Sequence, residues 1–270
     1  MREVVAVNRE NWKLHFGQWL FRRRGVMPAF LAIALLPALD SFQFIQNSHV
    51  RQIYWELGCL AISLLGLFIR GMTVAFVREG SSGRELSTPR ADRLNTSGLY
   101  SVVRNPLYLG NMIVWLGIVS MLHQWWLSGS ILLISYLYHR TIIVAEEAYL
   151  ASRFGSTYIE WRRRTPAFIP DFRHWTPPEL SFSAVMVLRR EYSGLFQIVA
   201  AFALMNLVLN HSATGDWVVD SVFRNLLIEA SVICGVIWVV VRWTAWLPAP
   251  RDEVEMTCRN IQVDSRQKKL

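Results

Sequence analysis

Cysteine is scarce in this chain: Cys59, Cys234 and Cys258 are the three in 270 residues, and no spacing among them suits a metal. Two fall in apolar runs and one in a polar terminal stretch, so they read as reduced, structural thiols rather than a disulfide framework. A Gly-rich phosphate loop and any internal repeat are also missing, which removes the nucleotide-loop and solenoid readings. Charged residues make up only 18% against 53% hydrophobic. With twelve tryptophans and a positive mean hydropathy, this is far from an ordinary soluble domain.

What is present is a series of apolar runs. Six stand out, at about 28–45, 53–69, 107–122, 127–145, 193–209 and 222–241, each near the roughly 20 residues that a helix needs to cross a bilayer core. The first is interrupted by Pro37 and Asp40. The expected fold is therefore all-α, a polytopic membrane bundle of about six spans. Of 28 Lys plus Arg residues, only Arg51 and Arg224 lie on one side of that arrangement. The positive-inside rule then places both termini in the cytoplasm. The net charge of +8 follows from topology and attraction to anionic headgroups, leaving a nucleic-acid partner little to explain.

At the N-terminus, Asn11 to Arg24 is charged and aromatic and lacks a small-residue cleavage site, so it reads as an interfacial helix dipping Trp12, Phe16, Trp19 and Leu20 into the headgroups. The expected division is an interfacial helix (1–27), a first hairpin (28–84), a core (85–175), a C-terminal hairpin (176–247) and a polar tail (248–270). Nothing in the C-terminal pair of spans chooses between a wall at a lipid entrance, a dimer contact and headgroup recognition. Oligomeric state is left open.

Two polar clusters carry the chemistry. Gly98 to Gly110 (GLYSVVRNPLYLG) opens the third run, and Glu146-Glu147 closes the fourth. The turn His123 to Trp126 makes these runs antiparallel, so both clusters reach one membrane surface. Ionisable groups there are costly unless paired or functional. Pro106 suits the first position of a helix and Asn105 its N-cap. The free N–H groups and dipole of that helix end, with Arg104 beside it, favour a carboxylate or phosphate. Gly110 allows close approach by a ligand or a neighbouring helix. Consecutive glutamates face different directions on a helix, so one can pair with an arginine while the other meets a ligand. Residues 161–170 read as an amphipathic surface helix closed by Pro166 and Pro170, a lid.

Each residue also has a plainer role. Arg104 suits a positive-inside anchor, Asn105-Pro106 a helix start, the glutamates solvated partners of Arg140 or Arg153, and Arg162 to Arg164 a headgroup contact. Only the ordered combination points to catalysis.

That order, GLY-x3-RNP-x-Y-x-G, a hydrophobic hairpin, EE-x2-L-x3-FG-x2-Y and R-x-P-x-FIP, resembles the membrane methyltransferases grouped with isoprenylcysteine carboxyl methyltransferase and phospholipid N-methyltransferase. It covers roughly residues 85–172. The resemblance implies S-adenosylmethionine as cofactor, held between the third and fourth spans and the following segment, with a lipid-borne acceptor arriving from the bilayer. By position it implies cofactor contacts from Tyr100, Asn105, Pro106, Tyr108, Gly110, Glu146, Glu147 and Tyr158, and catalytic roles for Arg104, Glu147 and Arg164, with no metal. Asn105 departs from the histidine of the eukaryotic enzymes and cannot titrate near neutral pH, which removes a base at that position.

Methyl transfer from a sulfonium needs chiefly alignment, and positioning supplies roughly 7–11 kcal/mol of barrier reduction. A carboxylate or phosphate acceptor needs no base, whereas an amine acceptor must give a proton to a glutamate. Arginines outnumber spare bases, which favours O-methylation of an anionic lipid or lipid-modified acceptor. The alternatives are phospholipid amine N-methylation, an NADPH-dependent membrane reductase and a non-catalytic scaffold.

Overall fold

This computed structural model describes residues 16–20, 22–23, 38–39, 42–77 and 93–244. Among them all regular structure is helical: α1 (His49–Val74), α2 (Leu99–Val102), α3 (Pro106–Ser120), α4 (Trp125–Arg164), α5 (Ala184–Thr214) and α6 (Ser221–Thr244), with short 3-10 turns at Ile45–Asn47 and Phe172–His174. The chain is all-α, as its apolar runs require. Four of the six expected spans correspond to helices long and apolar enough to cross a bilayer, namely α1, α4, α5 and α6. The expected third span is shorter. α3 has 15 residues, or about 22 Å of helix at 1.5 Å per residue. Most of the run at 28–45, Asp40 and the tail at 248–270 lie outside the described residues, as does most of the N-terminal stretch. Residues 16–20 are helical, and Gly17 sits against the Thr141 carbonyl and Ala145 of α4.

Helix ends follow local chemistry. Pro106 occupies the first turn of α3, where its missing N–H costs nothing. Ser183 accepts a bond from the Met186 N–H and caps α5, and Gly215, at φ +83°, ends that helix in the left-handed region where glycine is favoured. α4 is not the simple span expected. It runs 40 residues, well past Glu146-Glu147, and bends at Gly155 (φ 54°, ψ −128°). Its second limb stops at Arg164, where Pro166 cannot continue the ladder. The expected surface helix over 161–170 is therefore the end of α4 followed by a loop.

Leu65, Phe68, Leu133, Leu204 and Val232 are all more than half exposed, a surface suited to lipid rather than water. Hydrocarbon gives no hydrophobic reward for pairing helices, so close backbone approach and polar bonds do that work. α1 and α3 meet on small residues. A Cβ on Gly66 would lie 2.6 Å from the Gly110 carbonyl, and one on Gly117 would overlap the Ser63 hydroxyl. The Ser63 hydroxyl in turn donates to the Val114 carbonyl at 2.9 Å.

Two polar clasps complete the bundle. Near one end Arg70 of α1 donates twice to Glu191 of α5 (2.9 Å each) and to Asn111 of α3. At the other, Asn206 of α5 donates to both Glu56 of α1 (2.9 Å) and Asp220 (2.8 Å). Gln52 and His49 add bonds to the same two carboxylates. His123, in the turn between α3 and α4, joins this group through Gln52 at 2.7 Å, and burial lowers its pKa. Trp125 and Trp126 beside it are exposed.

Gly66→Ala is expected to lose about 1–3 kcal/mol, the usual cost of overpacking. Gly58, with nothing within 4 Å of an added Cβ, is expected to gain about 1 kcal/mol as alanine from helix propensity. Thermal unfolding of the two variants in one detergent checks the contrast.

Candidate functional site

The loop before α3 and the segment after the bend of α4 lie side by side, held mainly by backbone. Gly98 N–H donates to the Thr176 carbonyl (2.9 Å), Arg104 N–H to Pro166 (2.8 Å) and Asp171 N–H to Val102 (2.9 Å). Trp161 Nε1 donates to the Tyr100 carbonyl at 3.0 Å. Ser101 Oγ links the two segments again, donating to the Gly98 carbonyl and accepting from Thr176 N–H. Gly98 stands at φ 60°, ψ −135°, a conformation other residues adopt only under strain.

This clasp brings the two polar clusters together. Arg104 Nη1 stands 2.7 Å from Glu147 Oε1, with both side chains about 15% exposed. Arg162 Nη2 lies 3.3 Å from the other oxygen of Glu147. Tyr108 donates its hydroxyl to Glu146 at 2.9 Å, and its ring packs on His139 at 4.8 Å between centroids. The two glutamates thus take separate partners, as consecutive helical positions require. Tyr158 is 1% exposed and packs on Trp161. Arg104 Nε and Nη1 and Glu147 Oε1 are buried without a well-aligned hydrogen bond, and the Tyr158 hydroxyl lies within reach of Arg104. The Arg104–Glu147 attraction therefore rests on proximity, and these atoms keep bonding capacity for a further polar group.

Some expected roles change. Asn105 sits at the N-cap position but does not cap; its Nδ2 donates to the Ala167 carbonyl at 3.1 Å. The face of Gly110 is occupied by Gly66 and the Arg70 stem, so the close approach it permits is that of a helix. Arg164 is exposed at the end of α4 and is not brought to the cluster. Arg162 is. It was legible only in hindsight: Tyr158 and Arg162 are four apart on a helix, hence on one face. Arg140 donates to Tyr136 instead. Among the described residues no group of three or more His, Cys, Asp or Glu is placed to hold a metal.

Comparison with known proteins matches residues 42–157 to the family described as phospholipid methyltransferase. The chain is 30% identical over 158 residues to the cobalt-zinc-cadmium resistance protein CzcN of Cupriavidus metallidurans, covering 56% of this chain and 73% of that protein. This chain belongs to the phospholipid methyltransferase family. A second relative is the protein-S-isoprenylcysteine O-methyltransferase of Schizosaccharomyces pombe, 30% identical over 43% of this chain and 50% of its own length. A third, the nickel-cobalt-cadmium resistance protein NccN of Alcaligenes xylosoxydans xylosoxydans, is 30% identical over 43% of this chain and 54% of its own. The chain thus spans about half the length of the last two. Two of these names describe a resistance and one describes a reaction. No solved structure matches. Family membership and the four long apolar helices together make this an integral membrane protein.

Exposure ranks the two arginines. Arg104→Ala is expected to destabilise by about 2 kcal/mol because it strips a largely buried carboxylate of its nearest cation. Arg162 is 54% exposed, and its alanine variant is expected to cost less than about 1 kcal/mol; chemical denaturation in detergent measures both.

Tyr100 gives a pH test. Desolvation, with Glu146 second, pushes its phenol up to about 12 from 10. The folded state holds this proton more tightly, so its stabilising contribution is intact below pH 10 and is lost as pH rises through about 12. Tyr100→Phe is expected to lessen the alkaline loss of stability, read from melting temperatures between neutral and strongly basic pH.

Proposed function

We propose that this protein is an S-adenosylmethionine-dependent methyltransferase acting on a membrane-embedded lipid or lipid-linked acceptor, by O-methylation of a carboxylate or phosphate. The observation that carries this reading is the Arg104–Glu147–Arg162 cluster beside Tyr158 at the start of α3, with buried polar atoms that retain bonding capacity. Those atoms suit a small zwitterionic cofactor: cationic donors for a carboxylate, a carboxylate for an ammonium or a ribose diol, and a phenol that serves either. When bound, S-adenosylmethionine supplies an electrophilic methyl group on a sulfonium.

The residues' work is to bind and orient. Arg104 and the open N–H groups at the start of α3 attract a carboxylate, while Glu147 and Glu146 offer negative charge toward a cationic or hydroxyl-bearing part. Tyr100, Asn105, Pro106, Tyr108 and Tyr158 complete the proposed cofactor surface, with Gly110 acting by letting α1 approach. The loop that binds Asn105 and Arg104 through Ala167 and Pro166 excludes water from the helix start. Arg164, exposed nearby, is suited to steering an anionic acceptor or headgroup.

The O-methylation reading rests on the engagement of both glutamates among the described residues. Glu147 is engaged by two arginines and Glu146 by Tyr108. Removing a proton from an ammonium acceptor would require freeing one of them, whereas an oxyanion is ready to react. The name of the S. pombe relative, an O-methyltransferase, supports the same choice. The distribution of basic residues supports a cytoplasmic site.

Isothermal titration of the detergent-purified protein with S-adenosylhomocysteine tests the cofactor. Micromolar binding is expected in the wild type, lost in Arg104→Ala and Glu147→Ala variants that remain folded. A lipid extract incubated with enzyme and donor should then yield an anionic species heavier by one methyl group. No binding by the folded wild type would overturn the reading.

A further inference from the structure

α5 and α6 lie beyond the family-matched residues 42–157, yet they form part of a cavity of about 340 Å³. Its lining is apolar and drawn from three spans: Leu67, Phe68 and Gly71 of α1, Leu188 and Leu195 of α5, and Ile237 of α6. Along α1 it extends from Leu64 to Met72, about 13 Å at 1.5 Å per residue. These helices are bilayer spans, so the surrounding medium on their apolar faces is hydrocarbon, and water is not a candidate occupant.

One end is polar. Glu191 lines the cavity and is held by Arg70, which reaches Asn111 on α3 while its stem lies against Gly110. Tyr108, two residues earlier on α3, holds Glu146, and the Tyr100 phenol lies within electrostatic reach of Glu146, Arg190 and Arg70. The cavity's polar end is thus linked through Arg70 to α3, the helix that carries Tyr108. Beyond it, Phe182 packs on Phe76 and Ser183 N–H bonds the Ala75 carbonyl at 3.0 Å.

We propose that the cavity between α1, α5 and α6 seats an acyl chain of the bilayer lipid that accepts the methyl group, with its headgroup directed past the Arg70–Glu191 pair toward the Arg104–Glu147 cluster. This rests on the methyltransferase reading above. Because the chain moves from one hydrocarbon setting to another, the cavity contributes shape and position rather than hydrophobic affinity. Gly71 is the position that keeps it open: an added Cβ meets only Val187, at an ordinary 3.4 Å, so a larger side chain there extends into the cavity.

The test uses the full chain in lipid nanodiscs containing a phosphatidylserine with a photoactivatable diazirine on one acyl chain, and a parallel set with a diazirine-bearing prenyl thioether. Adducts mapped by mass spectrometry are expected to concentrate on peptides holding 64–72 and 187–195, above those on the exposed α6 residues Val232 and Val239. Gly71→Leu is expected to lose the cavity adducts and keep those on α6, and Gly71→Ala to retain both. Leu195→Trp serves if Gly71→Leu fails to fold. Adducts spread evenly over all lipid-facing helices, adducts unchanged in the filled variant, or capture of the prenyl probe alone would overturn the proposal. Titration with S-adenosylhomocysteine on the same variants separates the two readings. Wild-type binding retained in Gly71→Leu leaves the cofactor site standing whatever the adducts show, and adducts in the cavity without cofactor binding would sink the methyltransferase reading alone.

Discussion

The close approach of α1 to α3 is the constraint on which the rest of the structure depends. Hydrocarbon gives two apolar helices no reason to associate, so contact must come from packing and polar bonds. Gly66, Gly110, Gly117 and Ser63 remove the side-chain volume that would hold the backbones apart. That proximity fixes where α3 begins, because Gly110 lies on its second turn, and hence where Arg104 and Asn105 stand. It also lets the Arg70 stem cross over Gly110 and reach both α3 and α5. Had Gly110 carried a side chain, Arg70 would be displaced, and Glu191 would be left as an isolated carboxylate in a span, a costly state.

Charge is handled by the same logic at both ends of the bundle. Glu191 meets a bidentate arginine, and Glu56 and Asp220 share one asparagine amide with support from Gln52 and His49. In these two groups the named side chains bond to one another across helices, so they tie helices together. The Arg104–Glu147 group differs. Its members are close yet poorly aligned, and Arg104 and Glu147 retain buried atoms without an aligned hydrogen bond. A cluster that only held helices together would gain by aligning those atoms; one that must receive a ligand gains by leaving them available.

The class of fold was legible because a bilayer admits few solutions: long apolar runs become helices, and α1, α4, α5 and α6 lie where the runs lie. The meeting of Arg104 with the glutamates was legible from the hairpin turn and the motif order. What escaped had no local signature. The course of α4 through Glu146-Glu147 to Gly155 escaped because charged residues continue a helix as readily as apolar ones, so a change in hydropathy was mistaken for a helix end. Arg162 was hidden among three consecutive arginines, of which geometry selects the one four residues from Tyr158. Asn105 was expected to cap its helix because asparagine usually does; a loop 62 residues later offered Ala167 O instead. The partnership of Arg70 with Glu191 spans 121 residues, and no pattern along the chain announces it.

That partnership also bears on what the C-terminal hairpin is for. A pair of helices added to a membrane core simply to anchor it could pack through apolar side chains alone, since the long helices already suffice for insertion. α5 instead carries a carboxylate into the span to meet an arginine whose other bond reaches α3, one turn from the tyrosine that holds Glu146. A buried ion pair is a poor source of stability but an effective means of fixing register. The hairpin is therefore held in a defined position relative to the methyl-transfer motif, and the apolar cavity that it walls lies against the same ion pair. Position, more than anchorage, is what such an arrangement secures.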